Sequence, residues 1–409
     1  MLAFRFYHCR KFLPTRVLNP TWTSQASGKR LKLNSSSKFI GSTAVDFSRG
    51  EKPAIKPTEM FPRIDEDYDK ALYLLTHNPP EQRLDIPMPY SKYLQLEESW
   101  SKFNADNNIS ATRGICFWSI QGIADNAKHC KYPSLSYNAL MQIATIITSQ
   151  SALHSYTSRI FREIIRSNID EYLSIHRPRA IYRIQSYGST TEESFGPYGT
   201  NSKDPDGSFI YGRPGRAPRM QVTIECGVNE NYSALCRDKN LWINQLGAKA
   251  VILICLKEVP RFKNPPTAYE DIKDAAAEAD NVADHVADVM VHNLKRGNYG
   301  PLEYRGHIWA GKLDEVFVEV WRAGDEQPVR KWLISHGRAN RLPKTIGLRI
   351  SDFFPEDEWA TSNIPDSNVH FYGGRNLWGS LAGAMEWTAN SRFIRFLKSL
   401  DLPIVIISI

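Results

Sequence analysis

The chain has 409 residues, of which 42% are hydrophobic, so it is long enough to bury a sizeable core and its composition excludes a disordered chain. The net charge is +7, but residues 1–45 carry eight basic and no acidic residues, which leaves −1 for the rest of the chain. Any binding of nucleic acid by the folded part must therefore depend on local basic patches and not on overall charge.

Residues 1–60 are predicted to form a basic leader and a linker. The leader is rich in Arg, Lys and Ser and opens with apolar residues such as Leu2, Phe4 and Phe6, a composition typical of a mitochondrial transit peptide. A disordered basic tail, or a nuclear signal around Lys29–Lys32, has the same composition. The predicted location is the mitochondrion, with the nucleus or the cytoplasm as the alternative.

The cysteine spacing argues against a zinc-binding protein, and the length of the apolar runs argues against a membrane-spanning one. The six cysteines include no C-x-x-C pair, which argues against a zinc site and fits a reducing compartment. Cys226 and Cys255 lie inside apolar, strand-like runs, where a thiol behaves as a small hydrophobic group. No apolar run approaches the ~20 residues that a membrane helix needs, so we predict no membrane span.

Residues 61–130 are predicted to be an accessory layer of helical or irregular structure, with a short helix near 68–75. Helical spacing is seen at Leu140, Ile143 and Ile147, and it resumes from Ile160 to Leu173 after a break near Ser149–Ser151.

Residues 131–325 are predicted to form an α/β core, a central mixed sheet flanked by helices. After the helix that ends near Leu173, the pattern indicates, in order, two strands, a third strand, a helix and a continuous apolar strand, at 180–187, 206–211, 220–226, 232–246 and 251–256. The predicted order is therefore α-β-β-β-α-β.

The remaining segments are predicted from weaker patterns. Residues 268–294 are helix-like, and 315–322 alternate Val with charged residues, as a half-exposed strand does. Residues 326–409 are predicted to be a loop-rich C-terminal extension, with a buried strand at 402–409.

Two acidic residues lie at the outer ends of two neighbouring predicted strands, away from the turn that joins them. Asp206 opens one strand, and Glu225 closes the next, where Val222 and Ile224 alternate with polar residues and leave Glu225 on the opposite side. A tight turn between antiparallel strands would bring both carboxylates to one end of the sheet. Carboxylates fixed on rigid strands are the ligands that Mg²⁺-dependent hydrolysis of phosphodiesters requires.

A lysine on the following helix is predicted to join them. Leu235, Lys239, Trp242 and Leu246 recur at helical spacing, which puts Lys239 on the stripe that faces the sheet. A lysine buried there needs an acidic partner, and Asp206 and Glu225 supply one.

This arrangement resembles the PD-(D/E)XK nuclease superfamily, which has a restriction-endonuclease-like fold. Asp206 in Asp-Pro-Asp-Gly, followed by Glu225 at the end of an apolar strand, is similar to the first two members of the motif. The usual lysine two residues later is absent, because Gly227 stands there. Lys239 is similar to the lysine of one branch of this superfamily and of related fungal proteins. In these proteins the lysine comes from the helix that follows the strand.

The resemblance implies a metal-dependent nuclease that hydrolyses phosphodiester bonds in nucleic acid, preferably DNA, with Mg²⁺ or Mn²⁺. It implies that Asp206 and Glu225 bind the metal with the carbonyl of Cys226, that Lys239 activates water and stabilises the phosphate, and that Glu163 is a possible accessory acid. The alternative is an inactive relative that binds nucleic acid or protein.

The turn between the two acidic strands carries Arg213, Arg216 and Arg219, which are predicted to meet substrate phosphates. Each residue of the site also has a simpler interpretation. Asp206 is a normal turn residue, Glu225 a solvated strand residue, and Lys239 a side chain that extends to water along its helix.

Overall fold

A computed structural model describes residues 64–77, 82–106, 133–177, 180, 183–188, 192–196, 199–265, 299–304, 306–371 and 374–399. These residues belong to one unit, Phe61–Ile409. The leader, the helix predicted at 268–294 and the strand predicted at 402–409 lie outside the described residues. Among the helices described, none is both long enough and apolar enough to cross a membrane.

The described residues form six α-helices and sixteen strands, and most of the strands follow one another along the chain. The α-helices are α1 (Ile64–His77), α2 (Tyr90–Asp106), α3 (Ala152–His176), α4 (Tyr232–Asn244), α5 (Glu356–Ala360) and α6 (Gly374–Ser399). The strands that precede α4 are β1 (Arg83–Pro87), β2 (Ser134–Asn138), β3 (Ile143–Ile147), β4 (Ile184–Tyr187), β5 (Glu192–Gly196), β6 (Gly199–Lys203), β7 (Gly207–Arg213) and β8 (Arg216–Val228). Those after it are β9 (Ala250–Val259), β10 (Leu302–Tyr304), β11 (His307–Ala310), β12 (Lys312–Arg322), β13 (Val329–Ser335), β14 (Arg338–Ala339), β15 (Thr345–Arg349) and β16 (Asn368–His370).

The larger sheet has seven strands in the order β14-β13-β12-β9-β8-β7-β4. Its neighbours pair antiparallel except β8 and β9, which are parallel and are joined by α4. The α/β class and the mixed central sheet predicted from the sequence are confirmed.

Both faces of this sheet are covered, because its central strands are apolar on both sides. Val222 and Ile224 of β8 pack in one core with α3 and α6, while Val251 and Leu253 of β9 pack in a second core with Trp242 of α4. The apolar run that begins at Val251 is therefore a central strand, as predicted. Strand β12 is also interior, between β9 and β13, and is more buried than the half-exposed strand predicted.

A second, antiparallel sheet has five strands in the order β1-β3-β2-β6-β5 and packs against α1 and α2. The helix predicted around Ile143 and Ile147 is wrong, because these residues form β3. The run Ile143–Ile147 is mostly β-branched, which favours a strand, and it pairs with β1 on one side and β2 on the other. Helix α3 begins after Ser151, whose side chain accepts from the His154 backbone N–H at 3.2 Å and caps the helix.

The C-terminal part is more regular than the loop-rich extension predicted. It contains β13 to β16 and α6, a helix of 26 residues. Leu377, Leu381, Ala384 and Met385 lie on one stripe of α6 and are buried against the same core as α3. This helix closes the face of the sheet on which Ile224 lies.

Candidate functional site

The β7–β8 hairpin brings Asp206 and Glu225 to one end of the larger sheet. Gly207 pairs with Ile224, and the Asp206 backbone N–H donates to the Ile224 carbonyl at 3.1 Å. The Asp206 Oδ2 also accepts from the Cys226 backbone N–H at 2.9 Å. The predicted juxtaposition of the two acids follows directly from this register.

Asp206 is held by donors from the start of α3. Gln150 donates from Nε2 to Oδ1 at 2.8 Å, and His154 Nε2 lies 3.1 Å from Oδ2. The Asp206 side chain is only 7% exposed. Its carboxylate is therefore buried and has a defined orientation.

The Glu225 side chain lies on the face of β8 that α4 covers, opposite the face on which Val222 and Ile224 lie. Trp242 donates from Nε1 to its Oε1 at 2.5 Å, and Lys203 Nζ lies 3.5 Å from Oε2. The residue is 4% exposed, so the solvated interpretation of Glu225 is wrong.

Lys203, from the end of β6, is the buried lysine of this site. Its Nζ lies 3.1 Å from Asp238 Oδ2 as well as near Glu225. Burial by itself lowers the pKa of Lys203, but the carboxylates of Asp238 and Glu225 outweigh burial and hold the pKa above 10.5. The side chain is therefore a charged ammonium group among acids.

Arg83, from β1, joins the same cluster. Its guanidinium contacts both oxygens of Asp238, at 2.7 and 3.1 Å, and also pairs with Glu230. Burial alone would raise the pKa of Asp238, but Lys203 and Arg83 together lower it. Burial raises the pKa of Glu230, and Arg83 opposes only part of that effect.

We call Asp206, Glu225, Glu230, Asp238, Lys203 and Arg83 the ionic cluster. The formal charges of four carboxylates and two cationic side chains sum to −2. These residues line a cavity of about 240 Å³ with Gln150, His154 and Cys226. The five-stranded sheet supplies the positive charges, and the larger sheet with α4 supplies most of the negative ones.

Lys239 does not line this cavity, and the prediction that it lies with Asp206 and Glu225 is wrong. Its Nζ lies 4.0 Å from the ring centroid of Trp321, on β12. Lys239 does face the sheet, but adjacent helix residues differ by about 100° in direction. Asp238 therefore points into the cavity, while Lys239 points along the sheet to Trp321.

Position 227, where the motif usually has its lysine, has no room for a side chain. A Cβ on Gly227 would lie 2.7 Å from Leu235 Cδ1 and 3.1 Å from Glu230 Cβ. The close packing of Leu235 and Glu230 against β8 therefore leaves no space for a lysine side chain at this position.

Gly227→Ala is expected to destabilise the fold by about 1–3 kcal/mol, because the methyl group overlaps packed neighbours. Gly379→Ala is the matched control, since nothing lies within 4 Å of a Cβ there and the position is inside α6. We expect it to stabilise by about 0.5–1 kcal/mol through helix propensity. Urea unfolding measures both variants, and equal effects of the same sign would refute the packing argument.

The predicted arginines and Glu163 lie away from the cavity. Arg213 pairs with Glu358, while Arg216 and Arg219 lie 3.4 and 3.7 Å from Asp357. Glu163 pairs with Arg159 at 2.7 Å and is 51% exposed, so it is not positioned as an accessory acid. Cys226 does line the cavity.

Sequence reasoning missed Lys203, Asp238, Arg83 and His154. Lys203 precedes Asp206 by three residues, and this closeness in the sequence is the signal that indicates it. Asp238 adjoins Lys239 and shares its helix. Nothing local distinguishes Arg83, which is more than one hundred residues from its partner Asp238.

Whether a metal ion fits the cavity depends on which side chains could bind it. Within the described ranges, no three His, Cys, Asp or Glu side chains form a group that could hold a metal ion. Magnesium, however, is commonly held by one or two carboxylates with water and substrate phosphate. Asp206 and Glu225 are two carboxylates of this kind at the cavity, and each of their four oxygens already lies within 3.5 Å of a protein donor.

Comparison with models of protein families, with curated proteins and with solved structures finds no match for this chain.

Proposed function

We propose that this protein is a metal-dependent nuclease that hydrolyses phosphodiester bonds in nucleic acid, preferably DNA. The observation that carries the proposal is the meeting of Asp206, Glu225 and Lys203 at one cavity, on adjacent strand ends and a neighbouring sheet. Buried acids beside a buried cation are costly to maintain for structure alone, and such clusters concentrate at functional sites.

The order of elements supports a restriction-endonuclease-like core. Helix α3 is followed by β4, β7 and β8 in an antiparallel arrangement, then by α4 and the parallel strand β9. This is the α-β-β-β-α-β order that the resemblance implies. The insertion of β5 and β6 between β4 and β7 brings Lys203 to the site.

The proposed chemistry assigns a role to each group. Asp206 and Glu225 would hold Mg²⁺ or Mn²⁺, with the Cys226 carbonyl, and the ion would supply Lewis acidity and an activated water. Gln150 and His154 orient the Asp206 carboxylate through their hydrogen bonds. Lys203 presents a fixed positive charge to the phosphate oxygens on which charge develops.

The second candidate is a non-catalytic module that binds nucleic acid or protein. One observation favours it: both oxygens of Asp206 and both of Glu225 lie close to protein donors. A cluster of this kind can be purely structural. The proposed compartment remains the mitochondrion, on the composition of the leader alone.

Cleavage of a labelled DNA duplex and of its separate strands, with Mg²⁺ or with EDTA, tests the proposal. We expect cutting only with the metal, and a loss of about 100- to 1,000-fold in Asp206→Asn and Glu225→Gln. Glu163→Gln is the control, because Glu163 is half-exposed and outside the cavity. Undiminished cutting by both site variants would eliminate this site, and binding without any cutting by the native protein would establish the second candidate.

A further inference from the structure

The tip of the β7–β8 hairpin is covered by an acidic turn at the start of α5. Arg216 and Arg219 lie near Asp357, and Arg213 pairs with Glu358. Two other cations complete the contact: Arg183 lies 3.5 Å from Glu358, and Lys249 lies 3.0 Å from Glu356. Basic side chains from three separate segments thus converge on three consecutive acids.

The positive charges outnumber the negative ones. Five cationic side chains face three carboxylates, which leaves two positive charges at the tip. Arg213 and Arg216 are directly opposite each other in the hairpin register, an arrangement of like charges that is unfavourable without an anion nearby. The tip therefore still attracts anions when α5 is in contact with it.

The contacts of Arg216 and Arg219 with Asp357 are also weak enough to exchange. The side chains of Arg216 and Arg219 are 55% and 60% exposed, and that of Asp357 is 54% exposed. Ion pairs with this exposure contribute about 0–1 kcal/mol each, because water and salt screen them. Another anion of higher charge can replace the Asp357 carboxylate at little cost, whereas Glu358 is only 15% exposed and is held by Arg213, Arg183 and Tyr211.

Arginine favours phosphate as the replacement. Its planar guanidinium binds phosphate and carboxylate in the same two-pronged geometry, so a row of phosphates and the Glu356–Glu358 carboxylates present similar acceptors. The seven residues of β7 separate the tip from Asp206 by ~20 Å at about 3.3 Å per residue. This distance corresponds to about six base pairs of duplex.

We propose that the arginine tip binds the phosphate backbone of a DNA duplex, and that the acidic turn Glu356–Glu358 competes for the same side chains in the unbound protein. The inference rests on the proposed function for the identity of its ligand, and it adds a backbone contact remote from the cavity together with an intramolecular competitor. The inference predicts that loss of the arginines lowers the affinity for DNA and that loss of the acids raises it.

Fluorescence anisotropy with a labelled duplex of about 20 base pairs, long enough to reach from tip to cavity, tests the inference. The full chain is used in EDTA, so that binding is measured without cleavage. We expect Glu356→Gln/Asp357→Asn to bind about 3- to 10-fold more tightly than the native protein. Arg216→Gln/Arg219→Gln is expected to bind at least about 10-fold more weakly and to lower the salt slope by about 2.

The control is Glu163→Gln/Asp170→Asn, which removes two half-exposed, ion-paired acids of α3 and changes the net charge equally. Equal affinities of the acidic-turn variant and this control would overturn the inference, as would an absence of DNA binding in all variants. Binding of the acidic-turn variant to vesicles of phosphatidylserine but not to the duplex would overturn it in favour of a membrane surface.

This outcome is separable from that of the proposed function. If the acidic-turn and arginine variants behave as expected in EDTA while no metal-dependent cleavage exists, the inference stands and the nuclease proposal fails. If metal-dependent cleavage exists but affinity is insensitive to both variants, the nuclease proposal stands and the inference fails.

Discussion

Replacing Arg392 by methionine is expected to lower the free energy of unfolding by about 3–5 kcal/mol. Arg392, on α6, contacts both oxygens of Glu258 at 2.6 and 3.1 Å, and the two side chains are only 3% and 1% exposed. Glu258 also accepts from the Gly311 N–H at 2.6 Å. Without Arg392, the Glu258 carboxylate would remain buried without its counter-charge, at the junction of α6 and β9.

Urea unfolding of Arg392→Met measures this loss, with Lys257→Met as the matched control. Lys257 precedes Glu258 on β9 and pairs with Glu315 at 3.3 Å, but its side chain is 55% exposed. We expect the control to lose less than about 1 kcal/mol. Adding Glu258→Gln to Arg392→Met is expected to restore part of the stability, because the buried charge is removed. Equal losses in Arg392→Met and Lys257→Met would contradict the argument.

Removing Lys203 is expected to reduce metal-dependent cleavage by about 100- to 1,000-fold, the usual effect of losing one pre-positioned charge in a closed site. Lys203→Met is compared with Lys239→Met, because the motif resemblance implies Lys239 whereas Lys203 is the lysine that lines the cavity. Lys239 contacts Trp321 away from the cavity, so its loss is expected to change the rate by only roughly 2–3-fold.

Folding must be separated from catalysis in this comparison. Lys203→Met leaves Asp238 and Glu225 with one cation fewer, which destabilises the buried cluster. The double variant Lys203→Met/Asp238→Asn removes the unbalanced charge, and circular dichroism and urea unfolding identify conditions in which it is folded. The role of Lys203 would be refuted if that folded variant cleaved near the native rate. It would also be refuted if Lys239→Met were inactive while the Lys203 variants remained active.

Several features of the core were predictable because they depend on neighbours along the chain. The alternation of Val222 and Ile224 with Glu225 specifies which face of β8 is apolar, and the observed cores agree. The apolar run from Val251 indicates a strand covered on both faces. Periodicity was less decisive at Ile143 and Ile147, which fit both a helix and a strand and form β3 through pairing with β1 and β2.

The amino-acid sequence by itself determined the α/β class, the interior position of β9 and the approach of Asp206 to Glu225, since each follows from local periodicity or from one tight turn. Tertiary structure decided which cation accompanies those acids. Helical direction separates Asp238 from Lys239 by about 100°, and Lys203 and Arg83 arrive from a second sheet whose docking no local pattern encodes. A buried charge pairs with an opposite charge that lies close in space. Lys203 and Arg83 lie close to Asp238 only after the two sheets have packed together.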